Sequence, residues 1–362
     1  MEIGMIYEEY IKNPTSELAI TIDIYSLVKI CDFFKNELKN DYIAYNYFLT
    51  THLMSIMNFI RYEVFIYLSN SNQNSSEIDK NLRYGIHQFR KKDFETREII
   101  LTKNMGITID FENPSLDFSY IILGKKKKIY STNILEFYIN QNNFSNVNKQ
   151  DYINKLMDFF YIMYDKQKMI VIDNTNSLKP KNIVKCTYKK IQQPYSFVSL
   201  IKNSKIKDKK TLLRLLIAYS QIGNILILCK QLIDLDIEQN NYIKYFFIKI
   251  ISLVIDESLD NIDNYILYTS NKNDKQILSK YFDIADKTKN KIRNIRNNFH
   301  YAEQTKVFKN PNMNDELIQI LDLASEIHEK LEEIVNIKYR FITFKFFKLL
   351  RWSEYGLEKK IN

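Results

Sequence analysis

The chain has 362 residues, of which 45% are hydrophobic, and a formal net charge of +9. That length supports two domains or one large one with a proper core, and the charge suits a polyanion such as RNA or DNA, or an anionic membrane surface. Six Gly and five Pro are few for this length, so turn-rich β architectures are disfavoured and helices favoured.

The N-terminus, Met-Glu-Ile-Gly-Met-Ile-Tyr-Glu-Glu, carries acids where a signal peptide carries bases, which points to the cytoplasm. Residues 17 to 70 read as two long helices. Leu27, Ile30, Cys31, Phe34 and Leu38 mark the apolar face of the first, and the second runs from about Tyr42 through His52 and Phe59 to Leu68. A polar loop from Ser69 to Ser76 precedes a charged helix over 78–103 that holds Arg83 and His87. From Gly106 the pattern changes. Phe118 to Leu123, Gly124, the Lys125 to Lys128 run and Ile129-Tyr130 together read as a β hairpin with a basic tip. Residues 133–142 and 149–164 return to helical periodicity.

Residues 174–210 hold Pro180, Pro194 and many lysines with little periodicity, the best boundary in the chain. Beyond it every segment reads as helix: 208–234, 240–257, 273–304, 313–338 and 340–351. Leu212 to Leu235 is the most apolar run, yet Arg214, Ser220, Gln221, Asn224 and Lys230 make it a core helix rather than a membrane span. Asn310-Pro311-Asn312 is a stop-and-restart signal. The expected fold is therefore mainly α. A mostly helical N-terminal region (1–173) carries the small hairpin, 174–207 is a linker, and 208–362 forms an α-helical bundle.

Three scattered cysteines without CxxC spacing fit reduced thiols and argue against disulfides or a zinc site. All six glycines are isolated, so no phosphate-binding P-loop exists. No metal or cofactor is implied. His328 follows Ile327 among Glu326, Glu329, Glu332 and Glu333, and is expected to be exposed and charge-stabilised.

The stretch with the densest chemistry is Lys291 to Gln304. Ile292, Ile295, Phe299 and Ala302 recur at three- and four-residue steps and define one buried helix face. At about 100° per residue, Arg293, Arg296 and His300 fall within roughly 60° beside that face, with Asn297 past its edge. Histidine is the side chain best poised to take a 2′-hydroxyl proton at neutral pH. Arginine offers a planar fork matched to phosphate oxygens, and donors placed where charge develops are the larger effect. Arg293, Arg296 and His300 are thus the candidate catalytic residues, and Asn294, Asn297 and Tyr301 the candidate substrate contacts. One histidine is short of an acid/base pair. An isologous homodimer through this helix supplies the second.

The run Arg-Asn-x-Arg-Asn-Asn-Phe-His-Tyr (293–301) resembles the signature of the HEPN superfamily: Arg, usually followed by a polar residue such as Asn, four to six residues, then His. Arg293 and His300 fit with six residues between them. Arg296, with three, either assists or binds. The resemblance implies an all-helical domain over about 205–351, a dimeric composite site, and metal-independent endoribonuclease activity. It also implies a role in toxin or antiphage defence systems with an inhibitory or activating partner. The competing expectation is a non-catalytic helical interaction or RNA-binding module.

Overall fold

A computed structural model describes residues 3–37, 53–69, 149–168, 203–233, 241–301 and 312–336, together with the backbone of 115–123, 126–132, 187–196 and 349–351. The described part is mainly helical. Nine helices can be named in chain order: α1 (Ile3–Lys12), α2 (Ser16–Glu37), α3 (Met54–Ser69), α4 (Lys149–Lys168), α5 (Lys209–Ile233), α6 (Asn241–Tyr268), α7 (Lys272–Tyr281), α8 (Asp286–Arg296) and α9 (Met313–Val335). Extended backbone occurs at Ser115–Leu123, Lys126–Thr132, Thr187–Ser196 and Leu349–Arg351. Of the expected hairpin tip from Gly124 to Lys128, Gly124 and Lys125 lie outside the described residues and Lys126 to Lys128 are extended. The expected helix 78–103 with Arg83 and His87, and His52, also lie outside the described residues. The expected helix 340–351 is described only at Leu349–Arg351, which is extended.

The fold is built on α6. Its 28 residues make a rod of about 42 Å. Tyr242, Tyr245, Phe246, Ile248, Ile250, Ile251, Leu253 and Ile255 are all buried, so its first half is largely apolar and buried on every side. A helix of that kind must be surrounded. Around it pack α1, α2, α5, α7, α8 and α9. One hydrophobic core joins Tyr10, Ile24, Phe59 and Phe160 to Phe246, Phe299 and Leu331. The expected division at 174–207 therefore does not divide the packing: helices from both sides of it share this core. Among the described residues no helix is long and apolar enough to cross a membrane.

Three expectations need correction. The helix expected over 240–257 runs on to Tyr268. Asp256, Asp260 and Asp263 interrupt the apolar periodicity there, but each is answered by a cation on α8. The single helix expected over 273–304 is α7, a break at 282–285, α8, and a 3-10 turn over Asn297–Phe299. The break holds neither Gly nor Pro, and the cap of α8, Ala285, makes no side-chain cap bond, so composition carried no sign of it. His328 is fully buried and stacks on Tyr219, ring centroids 4.2 Å apart. Spaced four after Ala324, three before Leu331 and seven before Val335, it belongs to the apolar stripe of α9 rather than to the glutamates beside it.

Other expectations stand. Asn312, after Pro311, caps α9 by accepting from the Asp315 amide at 3.2 Å. At the other end Asn336 adopts a left-handed conformation, φ 53°, which asparagine tolerates.

Inside the core lies a polar cluster. Lys249 of α6 and Asp23 of α2 are both fully buried, with Nζ 2.5 Å from Oδ2. Tyr301 donates its hydroxyl to the same oxygen at 2.6 Å. Burial pushes the Asp23 carboxyl up and the Lys249 ammonium down, and each partner opposes the other's shift. Burial next to Asp23 pushes the Tyr301 phenol up as well, so it stays a donor. The Lys249 ammonium also lies 4.2 Å from the Phe299 ring centroid. Removing one member leaves a buried charge uncompensated. Lys249→Met should therefore destabilise the protein by about 3–5 kcal/mol, and adding Asp23→Asn should recover most of that. Urea denaturation checks this; a lone Lys249→Met with an unshifted midpoint would show that the pair carries no structural weight.

Candidate functional site

The site forms where α8 ends. Asparagine is a poor helix former, and here two follow Arg296. The Asn298 side chain turns back and donates to the Asn294 and Ile295 carbonyls at 2.9 and 3.0 Å. Those carbonyls lie in the last turn of the helix, where regular amide partners run out, and the Ile295 carbonyl also accepts from the Asn297 amide. The His300 amide donates to the Asn297 carbonyl at 2.9 Å and closes the 3-10 turn. Asn298 also accepts from the Tyr245 hydroxyl at 3.2 Å, which ties the turn to α6. His300 therefore sits past the helix, at φ −81° and ψ 80°, and not on the α-helical face that its spacing implied.

The two arginines and the histidine nevertheless come together. The Arg296 side chain, 10% exposed, lies against Asp256 of α6. Its Nε is 2.9 Å and its Nη2 2.8 Å from Asp256 Oδ2. Its Nη1 is 2.8 Å from His300 Nε2. On its other side, His300 Nδ1 is 3.0 Å from Glu63 Oε2. A guanidinium can only donate, so Nε2 accepts and carries a lone pair. Nδ1 then carries the proton and donates to Glu63. The imidazole is neutral in this arrangement and is aimed by a carboxylate behind it, as in a catalytic triad.

Glu63 was not singled out by the sequence. It comes from α3, 237 residues before His300. Phe59, one turn earlier on α3, packs edge-on against Phe299 at 5.7 Å and against His300 at 6.3 Å. The spacing of Phe59 and Glu63 thus matches the Phe299-His300 pair: an apolar contact beside an apolar residue, a carboxylate beside an imidazole. The only signal in the sequence was a single acid in a mostly apolar helix.

Arg293 lies one turn before Arg296 and is 45% exposed. Its Nη2 meets Asp260 at 2.9 Å, and its Nε is 3.5 Å from Asp256. Lys289 continues the series against Asp263 at 2.7 Å. Acids rising along α6 thus meet bases falling along α8, so the two helices run antiparallel in a charge-matched register.

The remaining expected residues divide. Asn294 and Asn297 are exposed and contribute backbone carbonyls to the turn. Neither orients the imidazole, a task taken by Glu63 and Arg296. Tyr301, expected to contact substrate, is fully buried with its hydroxyl on Asp23, so it belongs to the core. Its carbonyl accepts from Ser16 Oγ at 2.5 Å. Among the described residues no group of three or more His, Cys, Asp or Glu could hold a metal ion.

No protein-family model, curated protein or solved structure matches this chain. The chemistry open to the site is set by its own geometry. That geometry offers an oriented neutral imidazole beside two guanidiniums, closed over by two aspartates.

The geometry sets the tautomer. Long-range ¹H–¹⁵N spectra should show His300 protonated at Nδ1 and unprotonated at Nε2 at pH 8. Removing the acceptor in Glu63→Ala should mix the two tautomers. An Nε2-protonated imidazole in the native protein would sink the orientation described here.

Proposed function

We propose that this chain is a metal-independent endoribonuclease of the HEPN type. The observation that carries the reading is the chain of contacts Glu63–His300–Arg296, which puts a carboxylate-oriented imidazole in direct contact with a guanidinium. RNA carries its own nucleophile. In the proposed reaction His300 Nε2 takes the 2′-hydroxyl proton, O2′ attacks phosphorus, and the bond to the 5′-oxygen breaks. Arg296 neutralises the charge that builds on the phosphorane, and Arg293 binds a flanking phosphate. The departing 5′-oxygen needs a proton, which a second copy of His300, carrying the imidazolium form across an isologous two-fold axis, supplies from its Nε2. The products are a 2′,3′-cyclic phosphate and a 5′-hydroxyl. Glu63 holds the imidazole in the tautomer this requires.

The net charge of +9 supports a polyanionic substrate. The proposed setting is cytoplasmic, in a toxin or antiphage defence system, with a partner that restrains or triggers cleavage. The HEPN-like helical bundle, the basic hairpin and the homodimer belong to the same proposal.

A second reading has its own support. Both arginines already meet aspartates, and Nε2 already accepts from Arg296. A helical interaction or RNA-binding module that does no chemistry needs nothing more of these residues than that they hold the helices together.

RNA cleavage by purified protein in EDTA separates the two. Cyclic-phosphate ends are expected, and His300→Ala should lower the rate by about 100-fold or more. Arg296→Ala should cost more than Arg293→Ala, because only Arg296 touches the imidazole. Undiminished cleavage by His300→Ala, or RNA binding with no cleavage by any form, would leave the nuclease reading without its centre.

A further inference from the structure

The ribonuclease reading requires a lone pair at His300 Nε2 and guanidiniums able to meet a phosphate. In this structure the lone pair and the Arg296 guanidinium are both engaged, and Arg293 is partly so. Arg296 covers Nε2 at 2.8 Å while its other two nitrogens meet Asp256. Arg293 reaches toward Asp256 and meets Asp260. Across these side chains each guanidinium already meets a carboxylate and the imidazole meets a third. A phosphate approaching the cluster has to compete with these carboxylates for the guanidiniums.

The chemistry of the occupant suggests what replaces it. A carboxylate presents two oxygens sharing one negative charge. The two non-bridging oxygens of a phosphodiester do the same, and the planar guanidinium fork matches either. Asp256 sits between Arg293 and Arg296, where a phosphodiester bridging them would sit. The outer edge of the cluster faces solvent: Arg293 is 45% exposed, Asp260 26% and His300 22%. Asp256, at 4%, forms its floor.

We propose that Asp256 and Asp260 are internal anions closing a phosphodiester-binding site made by Arg293 and Arg296, and that an RNA phosphate opens it by taking the Arg296 guanidinium away from His300 Nε2. The inference rests on the proposed ribonuclease reading. Binding and release of the base are then one event. The imidazole becomes a base only when a phosphate is there to be attacked, and water alone does not free it.

The test uses the full-length protein and a fluorescent 2′-O-methyl RNA hexamer, which binds but has no nucleophile. Asp256→Asn and Asp260→Asn each remove one negative charge beside the guanidiniums. Both should bind the hexamer about threefold to tenfold tighter than the native protein at low salt, with the gain shrinking as salt rises. In the native protein, saturating hexamer should shift the His300 Nε2 resonance as its contact with Arg296 is lost. If Asp256→Asn does not fold, Asp260→Asn and the Nε2 resonance decide. A folded variant that binds no tighter, or an Nε2 resonance unmoved at saturation, overturns the closed-site proposal. Tighter binding by the variants with no cleavage of unmodified RNA upholds the closed site and sinks the nuclease. Cleavage that depends on His300, with no tightening in either variant, does the reverse.

Discussion

The arrangement depends on the register between α6 and α8. Asp256, Asp260 and Asp263 meet Arg296, Arg293 and Lys289 in reversed order, one contact per turn. Isolated pairs at the surface contribute about 0–1 kcal/mol each, so the outer two do little for stability. The inner pair is different. Asp256 is almost wholly buried, and a slip of α8 that took Arg296 away would leave its carboxylate buried without that cation. The cost of that misplacement is what fixes α8 along α6. The position of the 3-10 turn and the reach of Arg296 to His300 both follow from it.

Beneath the turn, the buried cluster of Asp23, Lys249 and Tyr301 does the complementary work. His300 lies between two anchored neighbours: Phe299 over the Lys249 ammonium and Tyr301 on Asp23. The ring of His300 is therefore aimed from both sides along the chain before Glu63 touches it. The anchors come from α2 and α6, and Glu63 from α3. The imidazole is positioned by helices far apart in sequence, and the site cannot be cut out as the C-terminal half alone.

How much of this was legible depends on where the signal lies. Helical class, the long α2, the apolar α5 and the restart at α9 follow from local periodicity and from Asn310-Pro311-Asn312. The grouping of Arg293, Arg296 and His300 was legible too, though for an imperfect reason. The helix projection placed them together, while the helix ends at Arg296 and a tighter turn delivers His300 to the guanidinium. What the sequence hid is long-range pairing. Glu63, Asp256 and Asp260 are ordinary acids on helices, and nothing local marks them as partners of a basic segment. Tyr301 was misread because a tyrosine beside a histidine carries no sign of facing inward, and His328 because four nearby glutamates outweighed a seven-residue stripe.

The early end of α8 also shapes the field at the site through the backbone. Arg293 and Arg296 occupy its last turn, where aligned peptide dipoles leave a partial negative charge. That end welcomes cations and opposes anions. The Asn298 amide covers two of the carbonyls responsible and mutes part of that opposition. A neutral asparagine thus sets how negative this corner of the protein is, without contributing any charge of its own.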